Sequence, residues 1–379
     1  MKNLFLLLIT SLLISSCRTK IDAPDTQTNL AGNSAYLLVG SYSNGKTPGI
    51  SVYDFDMQDA DFKLVSEVTN ILNPSYLVVS PDKEMIYSVN ETEQGAVSAF
   101  RFDKSTGTLD FVDSRSTEGA DPCYISIDNK QQILLTANYT DGSISVFPLS
   151  DSGKVYPVSQ RIVFKEIYNR RASHVHTVVF SPDRKYVFAT DLGKDQIIRF
   201  RVDLNDINKI FLKKDGAAIS LGKGSGPRHI DFHPTKNFAY CINELSGKVT
   251  VLRYDNGNLT PIQYIASDTT TVSERKGSAD IHVSPDGRFL YTSNRLQNDG
   301  IAIFAINPKT GLLTYAGYQK TGIHPRNFII SQHGKYLLCA NRDSNNIQIF
   351  TIDHYTGLLT DTGKEIHLSQ PVCLKWISK

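Results

Sequence analysis

The segment SPDGRFLYTSNR, residues 284–295, reads as a tight turn followed by a strand that ends on a polar residue. Proline at the second turn position with Asp and Gly after it favours a type I turn, and the apolar and aromatic run that follows has strand character. The pattern recurs as SPDKEMIYSVNE from Ser80, IDNKQQILLTANY from Ile127, SPDRKYVFATDLG from Ser181, HPTKNFAYCINE from His233 and SQHGKYLLCANR from Ser331. Its closing polar residue is Asn90, Asn138, Asp191, Asn243, Asn294 and Asn341, at intervals of 48, 53, 52, 51 and 47. YLLVGSY from Tyr36 adds a seventh strand of this type, with Gly40 lying 50 residues before Asn90.

Upstream of each turn a second motif recurs: NPSYL from Asn73, DPCYI from Asp121, HVHTV from His174, GPRHI from Gly226, GSADI from Gly277, HPRNF from His324 and QPVCL from Gln370. The intervening stretches, such as GAVSAFRFDKSTGTLDFV, alternate and turn at glycine as hairpins do. Each repeat therefore holds four short antiparallel strands, and seven repeats predict an all-β, seven-bladed β-propeller. The ring closes when the segment from Gln370 to Ile377 becomes the innermost strand of the blade that begins near Tyr36, which removes the open edge. The Ser-Pro-Asp and His-Pro-Thr motifs are turn chemistry and build blades only.

Forty Lys+Arg against 38 Asp+Glu, with a net charge of +2, provide no field that would draw the chain onto nucleic acid. Residues 1–16 read as a signal peptide: one Lys, an apolar run from Leu4 to Ile14 too short to span a membrane, then small residues. The ending Ile14-Ser15-Ser16-Cys17 resembles the bacterial lipobox, so Cys17 is expected to be lipidated, residues 17–33 to form a polar tether, and residues 34–379 the propeller. The expected protein is exported and lipid-anchored, facing the periplasm or the cell surface, and touches a membrane only through its anchor. The remaining Cys123, Cys241, Cys339 and Cys373 permit disulfides or buried free thiols.

In a propeller the entry of each innermost strand surrounds the mouth of the axial channel. Aligning the second motif on the residue after proline gives Ser75, Cys123, His176, Arg228, Ala279, Arg326 and Val372. The residues after the closing Asn/Asp give a second ring, Glu91, Tyr139, Leu192, Glu244, Arg295 and Arg342. Equivalent repeat positions aim these charges at one central cavity. Glu244 beside arginines should stay ionised, and His176 should have its pKa pushed down to leave a neutral imidazole, a combination suited to acyl chemistry on an anionic substrate. His176, Arg228, Glu244 and Arg295 are expected from four consecutive blades and at loop ends, where alanine would cost about 0.5 kcal/mol or less if exposed, and more if Glu244 is half buried with an arginine. His174 and His176 could face one side of a strand and share an ion, but no third ligand has suitable spacing and no metal is expected.

Taken together, PSYLVVSPD, SHVHTVVFSPD, GPRHIDFHP, YCINELSGKVTV, SADIHVSPDGRFLYTSNR, HPRNF and PVCL resemble the seven-bladed propeller lactonase family, which includes bacterial propeller-type 6-phosphogluconolactonases and fungal carboxymuconate-cyclising enzymes. The resemblance runs from about Tyr36 to Leu374. It implies a lactone-hydrolysing enzyme with a small-molecule substrate and no cofactor. The family histidine falls on His174 or His176, its arginines on Arg228 and Arg295, and its glutamate on Glu244. On this reading Arg228 and Arg295 hold the lactone carbonyl and a substrate anion, while His176 activates water with Glu244 as orienting partner or alternate base. His174, Arg326, Glu91, Asp191 and Arg342 complete the binding site of a monomer. Two rival readings are a cyclising lyase acting on an unsaturated diacid and a non-catalytic binding propeller, because a fold alone does not fix function.

Overall fold

The structure is a computed structural model that describes residues 34–164, 172–270 and 276–379. The expected signal peptide, Cys17 and the tether lie outside the described residues. Seven antiparallel sheets form, one per repeat, and no helix occurs among the described residues. In blade 3, Pro122–Ile127, Ile133–Asn138, Ser143–Pro148 and Gln160–Val163 pair in that order. The motif-bearing strands contact their counterparts in neighbouring blades, which places them around the axis. In blade 4 the outermost place is divided between Leu212–Lys214 and Ile219–Ser220, both paired with Gln196–Val202.

Ring closure follows the expected interlock. The C-terminal strand Pro371–Ser378 lies innermost in blade 1 and pairs with Ser34–Ser41, with Val39 opposite Leu374 and Tyr36 opposite Ile377. Apolar side chains fill the seams between blades; Tyr36 meets Phe102 edge-on at 5.4 Å, and Phe55 meets Tyr336 at 6.2 Å. Removing the chain from Gln370 onward would strip blade 1 of its inner strand and unpair Ser34–Ser41. We expect the truncated protein to lose the cooperative melting transition of the full chain; an unchanged melting temperature would rule this closure out.

The turns account for the Ser-Pro-Asp repeats. Ser80 Oγ donates to Asp82 Oδ1 at 2.5 Å and accepts from Met85 N at 2.9 Å, while Asp82 Oδ1 also accepts from Glu84 N at 2.9 Å. The residue after Asp takes a positive φ, 62° at Lys83 and 60° at Arg184, where Gly287, at 74°, fits without strain. The polar residues that close each second strand have a similarly local task. Asn138 is fully buried and donates to Ser143 Oγ and Ser145 Oγ, both at 2.9 Å, and Asn243 donates to Lys248 O and Thr250 Oγ1, also at 2.9 Å. These amides satisfy groups that the hairpin would otherwise bury unpaired. All four described cysteines are free and buried.

Candidate active site at the propeller mouth

One irregularity is repeated around the ring, and in three blades it brings its side chain, Cys123, His176 or Arg326, to the wall of the channel mouth. The innermost strand of five blades breaks register at a single residue: Cys123, His176, Arg228, Arg326 and Val372 each lack a cross-strand partner while the residues on either side pair normally. Such a bulge re-aims a side chain that regular alternation would bury in a blade seam. The second ring is tied to the first by a recurring backbone bond. Glu91 N donates to Asn73 O at 2.9 Å, Tyr139 N to Asp121 O at 3.0 Å, Glu244 N to Gly226 O at 2.7 Å and Arg342 N to His324 O at 3.0 Å. Each acceptor has a positive φ, between 41° at Asn73 and 62° at His324.

The result is a cavity of about 210 Å³ lined by Tyr42, Glu91, Cys123, Tyr139, His176, Glu244 and Arg326. A larger cleft of about 530 Å³, between Asp82, Arg101, Lys130 and Tyr156, lies at the Ser-Pro-Asp turns, the opposite end of the inner strands. The mouth cavity is the one that gathers ring residues, Glu91, Cys123, Tyr139, His176, Glu244 and Arg326 among the described residues. His176 is 4% exposed, and its Nδ1 is buried without a hydrogen-bond partner. Burial and then Arg228 hold its pKa well below the usual imidazole value, so the ring is neutral. Burial pushes the Cys123 thiol up, which keeps it protonated and excludes it as a thiolate nucleophile.

Glu244 is the electrostatic centre. Its Oε2 lies 2.8 Å from Arg228 Nε and 3.2 Å from Arg295 Nη2. The Arg228 contact is an ion pair by distance, but its Nε–H is not directed at the oxygen and has no hydrogen-bond partner. Burial works to raise the Glu244 pKa, and Arg295 with Arg228 outweighs it, holding the carboxylate ionised. Arg228 also donates to Ala279 O at 2.6 Å, and Arg295 to Gly277 O at 2.6 Å. Beneath Arg228, His229 Nε2 lies 3.3 Å from its Nη1 while His229 Nδ1 meets Asp280 Oδ1 at 2.7 Å. Asp280 additionally takes His282 Nε2 at 3.0 Å and the Asn327 side-chain amide. A buried polar chain thus seats the Arg228 side of the site.

Several expectations need correction. The four central residues come from three blades, because Arg228 and Glu244 share blade 5, between His176 in blade 4 and Arg295 in blade 6. Arg228 and Arg295 are 2% and 5% exposed, so they form a buried layer behind Glu244 and do not line the cavity. Glu244 is engaged by the arginines, and His176 Nδ1 has no orienting carboxylate. Asp191 is fully buried, and its carboxylate accepts from Ser173 Oγ at 2.6 Å, His174 N at 3.0 Å and Lys194 N at 3.1 Å. It therefore holds the loop behind the wall and does not line the cavity. His174 stacks on Tyr139 with ring centroids 4.6 Å apart, and its Nδ1 lies 3.0 Å from Tyr139 O. The bulge falls at His176, and the two imidazoles meet the Tyr139 ring differently, His174 stacked on it and His176 edge-on at 5.7 Å. Arg342 stays on the rim, bound to Asp343 at 2.6 Å and 3.0 Å. Glu91 and Arg326 do reach the cavity. Tyr139 was placed in the second ring without a role, and Tyr42, His229 and Asp280 were not singled out in the sequence; the latter two directly follow ring positions, and that step down the strand is the signal that could have found them.

The family model described as Lactonase, 7-bladed beta-propeller matches residues 36–376. A Formosa agariphila protein named 6-phosphogluconolactonase is 40% identical over 343 residues, covering 87% of this chain and 96% of its own length. A Bacteroides fragilis crystal structure solved under the provisional name 6-phosphogluconolactonase superposes with a TM-score of 0.86 at 46% identity, over 94% of this chain and 100% of the other. The Pseudomonas aeruginosa periplasmic gluconolactonase gives a TM-score of 0.86 at 32% identity, over 91% and 99% of the two chains.

Proposed function

Because the chain belongs to the seven-bladed β-propeller lactonase family, we propose that it opens a sugar lactone to its hydroxy acid at the mouth cavity, as a 6-phosphogluconolactonase-like hydrolase. The observation that carries the site assignment is a neutral, unpartnered imidazole sharing a small cavity with a carboxylate that two arginines hold ionised. His176 takes a proton from the water that attacks the lactone carbonyl, and returns it to the ring oxygen when the carbon–oxygen bond breaks. Glu244 stabilises the imidazolium formed in between. Among the described residues Arg326 is the one arginine on the cavity wall, 3.9 Å from Glu91 Oε1, and it serves the negative charge of the tetrahedral oxyanion. This revises the roles expected of Arg228 and Arg295, which now hold Glu244. A cyclising lyase would need cations for two substrate carboxylates, and among the described residues the wall offers one arginine.

Product assays on 6-phosphogluconolactone and gluconolactone test the proposal: we expect hydroxy-acid release well above spontaneous opening on at least one of them. No acceleration on any lactone would leave a binding propeller. We propose further that Cys17 carries a lipid anchor on an exported protein, supported by the apolar run and lipobox-like ending and by the periplasmic name of the Pseudomonas relative. Cys17→Ser should then move the protein from the membrane to the soluble fraction, and a variant that stays membrane-bound would refute the anchor.

A further inference from the structure

Within the cavity, Glu91 is built into the wall yet left half satisfied. Its main chain is fixed at both ends, Glu91 N donating to Asn73 O at 2.9 Å and Glu91 O accepting from Asn73 Nδ2 at 3.0 Å. Its Oε1 accepts from Tyr42 Oη at 3.0 Å, and burial raises the Tyr42 phenol to about 12, which keeps it a donor. The Arg326 guanidinium lies over the Tyr42 ring, 5.4 Å from its centroid, and its nearest nitrogen is 3.9 Å from Oε1, too far for a hydrogen bond. Glu91 Oε2 is buried and has no partner. A buried carboxylate oxygen without a donor is costly, and a site retains one where a ligand supplies the donor.

The donor that is missing identifies the ligand group. Among the described residues no lysine lines the cavity, Arg326 is held over Tyr42, and Tyr42 has already committed its proton to Oε1. A lactone ester carries only acceptors, so among the substrate's own groups the donor is a hydroxyl on the lactone ring or its side chain. We infer that Glu91 Oε2 accepts a substrate hydroxyl and makes this site selective for polyhydroxylated lactones over unsubstituted ones. The inference rests on the lactone-opening reading above and adds a specificity-determining residue to it. A site built to bond a hydroxyl rejects an analogue without one because its own buried group is then left unpaired.

The test is the ratio of kcat/KM on gluconolactone to kcat/KM on δ-valerolactone, a six-membered lactone with no hydroxyl, measured for the parent, Glu91→Leu and Glu91→Gln. The leucine variant should lower the ratio by about 10- to 150-fold, the range for a hydrogen bond to a charged group. Glutamine keeps an acceptor oxygen but not its charge, so its ratio should fall by a smaller factor, and it decides the matter if the leucine variant does not fold. A merely structural role would depress both substrates together and leave the ratio at the parental value in either variant, which would overturn the inference. A parent that opens neither lactone nor its phosphorylated form would instead overturn the lactone-opening reading itself.

Discussion

Glu244→Ala is expected to lose both stability and activity, and to lose more stability than a charge at a loop end would. The ion pairs of Arg228 and Arg295 among the described residues both end on Glu244 Oε2, and these arginine side chains are 2% and 6% exposed. Removing the carboxylate leaves two uncompensated guanidinium groups in a dry layer, where breaking a buried pair costs about 3–5 kcal/mol. The partial exposure of Glu244, 23% for its side chain, argues for the lower part of that range. Chemical denaturation should report the loss, and lactone turnover should fall by about 10²-fold or more as the charge opposite the forming imidazolium disappears. Glu244→Gln should recover part of the stability through its amide oxygen but little of the rate. Equal stability of parent and alanine variant would mean that the two arginines find other partners.

His176→Ala should remove the proton acceptor and bring the rate down by about 10²- to 10⁴-fold, close to spontaneous opening. The parent's pH profile should share this origin. Burial and Arg228 hold the imidazole pKa below its ordinary value, so the base stays neutral below pH 6.5, and kcat/KM should show no acid limb at that pH. Stability follows the matching sign: below about pH 6.5 the unfolded chain takes up a proton that native His176 refuses, so stability falls as the pH drops through that window. His229, held at about 4 by burial first, and His324, at about 3 for the same leading reason, act in the same direction. His282 opposes them: its pKa is raised by Asp280 in spite of burial, and its contribution is present at low pH and lost as the pH rises through its native value. A rate profile that bends near pH 6.5 would point to an exposed histidine as the base.

The repeat made the fold legible. A turn, a strand and a closing Asn recur at nearly constant spacing, and the leftover motif at Gln370 has no place except inside the blade that starts near Tyr36. The positions that converge were legible as well, because equivalent columns of a ring point the same way. Depth was not. Arg228 and Arg295 occupy columns that look like loop ends, and their burial is compensated by the ion pair each makes with Glu244, contacts between residues 16 and 51 positions apart that periodicity does not report. Asp191 sits in a column of asparagines whose work is to satisfy backbone and hydroxyl groups behind the wall, so its charge was a poor guide. The same-side alternation considered for the H-x-H pair does not hold across a bulge, and the bulge falls on His176. Tyr42 follows a strand with no aligned partner column and becomes visible only beside Glu91.

The claim that lactone opening occurs at this mouth is tested most directly by the folded double variant His176→Ala, Glu244→Gln, assayed beside both single variants and beside buffer alone on whichever sugar lactone the parent opens fastest. Residues that act on one transition state are strongly non-additive, so the double variant should be no slower than the worse single variant, and all three should lie near the spontaneous rate. Turnover like the parent's by the folded double variant would contradict the assignment and place the chemistry elsewhere on the propeller.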